Sequence, residues 1–165
     1  MGNDSRLEVL LRDTPWDRIV HWYGRATEFP DQARLVASGQ ADAAVFDQIS
    51  NSIEHQDGVM QASPFMVAVL LECLREPNSD KPRILAVLQQ VYNAVVSCGR
   101  APFDNPELPL ADELWPPFVD ADTDAGLWEE FQGENFPYWQ QHCCDEIKAA
   151  RTLIGSFGDE AFIWS

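Results

Sequence analysis

The chain has 165 residues, the usual size of one domain, and its hydrophobic fraction of 45% is typical of a globular protein. Its formal net charge is -16 and its pI is near 4.3. Nucleic acids and anionic membranes are poor partners for such a chain, because both are bound through Lys and Arg. Basic proteins are therefore the partners that this charge favours.

Residues 1–13 form a polar N-terminal segment in which Val9 to Leu11 is the only apolar run. We therefore expect no signal peptide. The longest apolar run of the chain, Phe65 to Leu71, is too short to cross a membrane. The sequence thus predicts a cytoplasmic protein.

Helix signals then follow in chain order. Thr14-Pro15 predicts a helix N-terminus, and Gly24 predicts its end. One face of this predicted helix carries Trp16, Ile19, Val20 and Tyr23. A short helix is predicted from Pro30 to Gly39, and the next from about Ala41 to Glu54.

Two further helices are predicted before residue 100. Residues 62–76 are apolar nearly all round, which indicates a central helix with neighbours on most sides. Asp80 can cap another helix that runs to about Ser97 and ends at Gly99.

Residues 100–123 contain five prolines, which exclude a long helix or a central strand and predict a long acidic loop. Between Arg100 and Lys148 there is no Lys or Arg, but there are twelve carboxylates and eight aromatic residues. Such a surface attracts basic partners and anchors them through aromatic rings. The alternative is a solvated acidic loop whose aromatic residues pack on its own core. The candidate partner-binding residues are Asp104, Glu107, Asp112, Glu113, Trp115, Phe118, Asp120, Asp122, Asp124, Glu129 and Glu130.

The C-terminal part, residues 124–165, is predicted to be helical again. A short helix near Asp124 to Gln132 precedes a long one from Asn135. The long helix carries an apolar stripe formed by Trp139, Cys143, Ile147, Ala150, Ile154 and Phe157. The apolar tail from Ala161 to Trp164 is expected to dock on the core. Because no strand or hairpin signal is found, the predicted fold class is all-α in a single domain.

The residues that resemble catalytic or metal-binding groups have simpler structural interpretations. His55-Gln56 ends a predicted helix, so His55 is either a general base or an imidazole bonded to the last carbonyls, and we favour the structural role. Gln56, Trp16 and Trp22 are likewise assigned structural roles. The run from His142 to Cys144 and the alternating acids from Asp120 to Asp124 lack the remaining ligands of zinc and calcium sites. We therefore expect no metal, no cofactor and no enzymatic activity.

Several short motifs occur between residues 14 and 99: Trp16, Trp22-Tyr23-Gly24 with Ala26 and Phe29-Pro30, then Ile53-Glu54-His55-Gln56 and Ala62-Ser63-Pro64-Phe65 before Leu70-Leu71. In these motifs the segment resembles small bacterial HEAT-like repeat proteins. The resemblance implies a short right-handed stack of antiparallel helix pairs, here with one long Pro-rich acidic loop. Several such proteins are encoded beside secreted toxins and are regarded as immunity proteins.

Two functions follow from these features. The first is an immunity protein that neutralises a cognate toxin in the cytoplasm by covering a basic site, such as that of a nuclease. The alternative is a HEAT-like adaptor in a cellular complex. An enzyme such as a DNA glycosylase is disfavoured, because it would need a basic groove for DNA. We expect a monomer or weak dimer that binds neither nucleic acid nor membrane.

Overall fold

The computed structural model describes residue 2, residues 4–98 and residues 139–164, and these are mostly helical with two small antiparallel strand pairs. In chain order the elements are α1 (Arg6–Asp13), β1 (Val20–His21), β2 (Gly24–Arg25), α2 (Phe29–Ser38), α3 (Ala43–Ile53), β3 (Glu54–His55), β4 (Gly58–Val59), α4 (Ser63–Cys73), α5 (Lys81–Cys98), α6 (residues 139–149) and α7 (Arg151–Gly155). The predicted loop 100–123 and the predicted helix 124–132 lie outside the described residues.

The N-terminal region differs most from the sequence prediction. Thr14 does not begin a helix but ends α1, where its backbone N–H donates to the Leu10 carbonyl at 3.2 Å. Helix α1 lies in the polar N-terminal segment, for which no helix was predicted, and it buries Leu7 and Leu11. The predicted helix from Thr14 to Gly24 is wrong, because residues 16–18 form a turn and the chain then enters the hairpin β1–β2.

The second hairpin, β3–β4, begins at Glu54, directly after the end of α3 at Ile53. In both hairpins the strands are two residues long and pair through two residues per strand. The prediction that the chain has no strand or hairpin is therefore wrong. Strands of two residues are too short to produce the alternating pattern from which strands are recognised in a sequence.

The two hairpins are copies of one unit, in which residues 19–30 correspond to residues 53–64. Four residue types match between the copies: Ile19 with Ile53, His21 with His55, Gly24 with Gly58, and Pro30 with Pro64. The structures match as well, because His21 pairs with Gly24 as His55 pairs with Gly58, and α2 and α4 both begin one residue before the proline. The repeated unit is therefore a hairpin followed by a helix with proline in its first turn.

The four predicted helices from residue 30 to residue 97 are confirmed, with bounds that shift by at most a few residues. Asp42 caps α3 by accepting from the Val45 N–H at 3.0 Å, and Asp80 accepts from Arg83 N–H at 3.2 Å at the start of α5. Helix α4 is central, as predicted, and contacts α1, α2, α3 and α5. Helix α2 is followed by Gly39, whose φ of 77° lies in the left-handed region that favours glycine.

The C-terminal helices close the core. The predicted apolar stripe is buried at Trp139, Cys143, Ile147 and Ile154, although a turn at Ala150 separates α6 from α7. The tail lies on α5, where the Gln89 side chain donates to the Ile163 carbonyl at 3.0 Å and accepts from the Ile163 N–H at 2.6 Å. Rings of Tyr92, Phe162 and Trp164 pack beside this pair.

Candidate partner-binding site

The two hairpins are bonded to each other, and this fixes the surface that they present. The Trp22 N–H donates to the Ser52 carbonyl at 3.1 Å, and the Trp22 indole N–H donates to the Gly58 carbonyl at 3.1 Å. Both backbone groups of Val20 are hydrogen-bonded: its N–H donates to Gln61 Oε1 at 3.1 Å, and its carbonyl accepts from the Ala62 N–H at 2.9 Å. The first hairpin is thus attached through Val20, in its first strand, and through Trp22, in its turn, to the second unit and to the end of α3.

The tip of the first hairpin exposes an aromatic ring. Tyr23 is 66% exposed, whereas His21 beside it is buried. The Tyr23 ring lies 6.3 Å from the His55 ring, which in turn lies 5.7 Å from the Trp22 ring. A large ring that is held in place by its neighbours loses little entropy when it is covered by a partner, and tyrosine is enriched among binding hot spots.

The tip of the second hairpin holds its two turn residues in an uncommon backbone conformation. Gln56 and Asp57 have φ values of 51° and 61°, and both are exposed. A two-residue turn of this kind needs left-handed residues at both positions, and glycine or asparagine usually supplies them. The Asp57 N–H donates to Glu54 Oε1 at 3.0 Å, which helps to hold the turn.

A polar pocket of about 440 Å³ opens beside Tyr23, between the first hairpin, the start of α2 and helix α3. Its lining combines one carboxylate and one guanidinium with several amides and hydroxyls. The lining residues are His21, Tyr23, Arg25, Glu28, Gln32, Gln48, Asn51 and Ser52.

His21 lines this pocket and helps to position Glu28. The His21 side chain is 4% exposed and its ring lies 5.1 Å from the Phe29 ring. Nδ1 accepts from the Tyr23 N–H at 3.0 Å, so the ring proton belongs to Nε2, which donates to Glu28 Oε1. The imidazole therefore links the hairpin turn to the carboxylate and is committed to hydrogen bonds on both nitrogens.

Gln32 contributes an unsatisfied acceptor to the same pocket. Its side-chain NH₂ donates to Gln48 Oε1 at 3.0 Å, while its own Oε1 is buried without a hydrogen bond. Gln32 is 9% exposed. A buried acceptor without a donor costs about 1–3 kcal/mol, which favours any donor that reaches this oxygen.

Cys73 and Cys143 are placed for packing. Cys73 and Cys143 are fully buried, and burial raises the pKa of Cys73 to about 12 and the pKa of Cys143 well above its usual range. A thiolate is the form that attacks or binds metal, so raised pKa values describe inert thiols. The His142 ring lies 3.5 Å from Glu146, and no three metal-ligating side chains converge within residues 4–98 and 139–164.

The four residues that were assigned structural roles all lie within the described part of the chain. Trp16 is 5% exposed and donates to the Leu11 carbonyl at 3.0 Å, and Trp22 joins the hairpins. His55 is half-buried, but it does not cap α3: among the described residues its contacts are with aromatic rings, and Ser63 Oγ donates to the Ile53 carbonyl instead. Gln56 occupies the left-handed turn.

The partner-binding residues that we predicted all lie outside the described residues. They are Asp104, Glu107, Asp112, Glu113, Trp115, Phe118, Asp120, Asp122, Asp124, Glu129 and Glu130. The pocket beside Tyr23 was missed, because we had placed Tyr23 on the inner face of a helix. The signal that would have located it is the recurrence of one His-x-x-Gly motif, first at His21 to Gly24 and again at His55 to Gly58.

Comparison with protein-family models, with curated proteins and with solved structures gave no match. None of the helices in the described residues is long and apolar enough to cross a membrane. The residues and their geometry therefore carry the functional argument on their own.

Proposed function

We propose that this chain is an immunity protein that binds and neutralises a cognate bacterial toxin in the cytoplasm. The observation that carries the proposal is the exposed Tyr23 ring, held at the tip of a hairpin that is bonded to its neighbour, on a protein of net charge -16. An exposed ring flanked by the rings of His21 and His55 suits a binding anchor, and the charge selects a basic partner.

The HEAT-like arrangement belongs to the same proposal. It is supported by the recurrence of one hairpin–helix unit, at residues 19–30 and again at residues 53–64, and by the contacts of α2 with α4 and of α3 with α5. Stacked repeats bring each helix against its equivalent in the next repeat, and such stacks are common protein-binding scaffolds.

The negative charge is concentrated in one part of the chain, so charged and aromatic residues can contribute to different steps of binding. Residues 99–138 hold ten carboxylates and one basic residue, Arg100. Long-range attraction by this segment would raise the association rate, while rings such as Tyr23 and Trp115 would slow dissociation. A toxin with a basic cleft, such as a nuclease, fits both contributions.

Affinity capture from the native cell, followed by mass spectrometry and binding kinetics, tests the proposal. A basic toxin domain is the expected partner, and it should lose activity when the chain is added. Capture of a stable cellular complex without a toxin would favour the adaptor function instead.

The kinetics separate charge from contact. Neutralising Asp112, Glu113, Asp120 and Asp122 together should slow association and flatten its salt dependence. The matched control neutralises three aspartates and one glutamate that are exposed on the described surface: Asp17, Asp47, Asp159 and Glu160. Equal effects of the two sets would assign the attraction to net charge alone.

The aromatic anchors have their own test. Tyr23→Ala and Trp115→Ala should each speed dissociation, at a cost of about 2 kcal/mol if the ring is a hot spot. If both variants bind the captured toxin as tightly as the parent, these two rings are not the anchors.

A further inference from the structure

We propose that the pocket beside Tyr23 receives the guanidinium group of an arginine from the partner protein. The inference rests on the proposed function, because it names the chemical group that the partner presents. It depends on four features of the described residues: the Glu28 carboxylate, the unsatisfied Gln32 acceptor, the Tyr23 ring, and a cavity of about 440 Å³ between them.

The hydrogen-bonding groups of the pocket call for a donor. Glu28 Oε1 accepts from His21, and within the described residues its Oε2 has no hydrogen-bond partner. Gln32 Oε1 also has no hydrogen-bond donor, and because this oxygen is buried the missing bond costs free energy. A ligand group with several N–H donors suits these acceptors, whereas a carboxylate or phosphate brings them no donor.

The shape and the ring favour guanidinium over ammonium. A guanidinium is planar, carries five N–H donors and stacks on aromatic faces, so one face can lie on Tyr23 while an edge points to Glu28. The Glu28 side chain is 42% exposed, so the carboxylate is reachable from the pocket mouth. Gln48, whose Oε1 holds the Gln32 NH₂ group, is itself exposed and can adjust its position.

Arg25 is the feature that opposes a cation. It also lines the pocket, on β2, and its side chain is exposed. An exposed charge is screened by salt, while the unsatisfied acceptor Gln32 is buried and the protein as a whole carries -16. The buried group decides which ligand the pocket prefers, because its unmet hydrogen bond is worth more than a screened charge.

A small-molecule titration tests the pocket without the toxin. The probe is N-acetyl-arginine N-methylamide, which presents one guanidinium on a neutral backbone, and its neutral isostere is the citrulline analogue. Two-dimensional NMR of the full chain at low ionic strength should show saturable shifts at the Tyr23 amide and the Gln32 side-chain NH₂ with the arginine probe. The citrulline and lysine analogues should bind more weakly.

Variants locate the binding. Glu28→Gln retains an acceptor for His21 but removes the charge, and it should weaken the arginine probe about fivefold. Tyr23→Ala should weaken it about threefold. Asp47→Asn makes the same charge change on α3 outside the pocket lining and should leave the affinity unchanged within a factor of about two. The Glu28→Gln spectrum without probe shows whether the fold is kept.

The outcomes separate this inference from the proposed function. Three results would overturn the arginine pocket, even if a toxin is captured. They are equal binding of the arginine and citrulline probes, preferential binding of the anion N-acetylglycine, and an unchanged affinity for the arginine probe in Glu28→Gln. Conversely, specific binding of the arginine probe supports the pocket even if affinity capture returns no toxin, and only the immunity function would then fail.

Discussion

Gly39 occupies a position where any side chain should destabilise the fold. Its φ of 77° costs an L-residue about 1–2 kcal/mol relative to glycine. A Cβ atom built there would lie 2.2 Å from the Asn78 carbonyl oxygen, which belongs to the loop between α4 and α5. Because the obstacle is backbone, the loop must move, and such overpacking typically costs about 1–3 kcal/mol.

Gly39→Ala should therefore lower the free energy of unfolding by about 2–5 kcal/mol, a large part of the stability of a typical domain. Urea unfolding followed by circular dichroism measures this change. Gly155→Ala is the matched control, because Gly155 is helical with no atom within 4 Å of the added Cβ. The control should be neutral or stabilising by up to about 1 kcal/mol. A Gly39→Ala variant within about 0.5 kcal/mol of the parent would refute the reasoning.

Three further predictions concern single side chains of the described residues. Ser63→Ala should lower the free energy of unfolding in urea by about 2–4 kcal/mol, because Ser63 Oγ bonds two buried backbone groups. The control Ser156→Ala removes an exposed hydroxyl and should cost less than about 0.5 kcal/mol. Similar costs for the two variants would contradict the prediction. Trp22→Phe should cost about 1 kcal/mol by leaving the Gly58 carbonyl without its indole donor, and an unchanged unfolding midpoint would argue against that bond. Burial raises the pKa of Cys73 from 9.0 to about 12, so the folded state keeps a proton that the unfolded chain loses. The stability that the protonated Cys73 thiol contributes is full below pH 9 and is lost as the pH rises towards 12. Cys73→Ala should therefore reduce the fall of the unfolding free energy over this pH range. If the unfolding free energies of parent and variant fall in parallel with pH, the prediction is wrong.

The helices that could be predicted, α2 to α5, have a marked start or end or a long apolar run. Helix α2 has proline in its first turn and Gly39 after its last residue, α4 is a long apolar run, and α5 begins at the predicted cap Asp80. Helix α1 has only two buried residues, Leu7 and Leu11, and its cap at Ser5 lies in a polar stretch. Its position becomes evident only from its packing against α4.

The site could not be predicted from periodicity, because it depends on pairs of residues that are distant in sequence. The apolar spacing of Trp16, Ile19, Val20 and Tyr23 fits a helix as well as a turn and a buried strand, and no local pattern distinguishes them. The internal repeat does distinguish them, because His21 to Gly24 matches His55 to Gly58, which lies beyond the predicted helix end at Glu54. Comparing the chain with itself would therefore have argued against a helix through Tyr23.

The bonds between the two hairpins also set an order of events during synthesis. Val20 depends on Gln61, 41 residues further on, and Trp22 depends on Gly58, 36 residues further on. The first hairpin therefore cannot complete its hydrogen bonds until the second unit has emerged from the ribosome. Contacts at this separation must close a long loop before they contribute stability, which slows folding. A nascent chain that stops between residues 30 and 55 should consequently leave the Trp22 region open to chaperones and proteases, and complete protection should appear only after α4 is available.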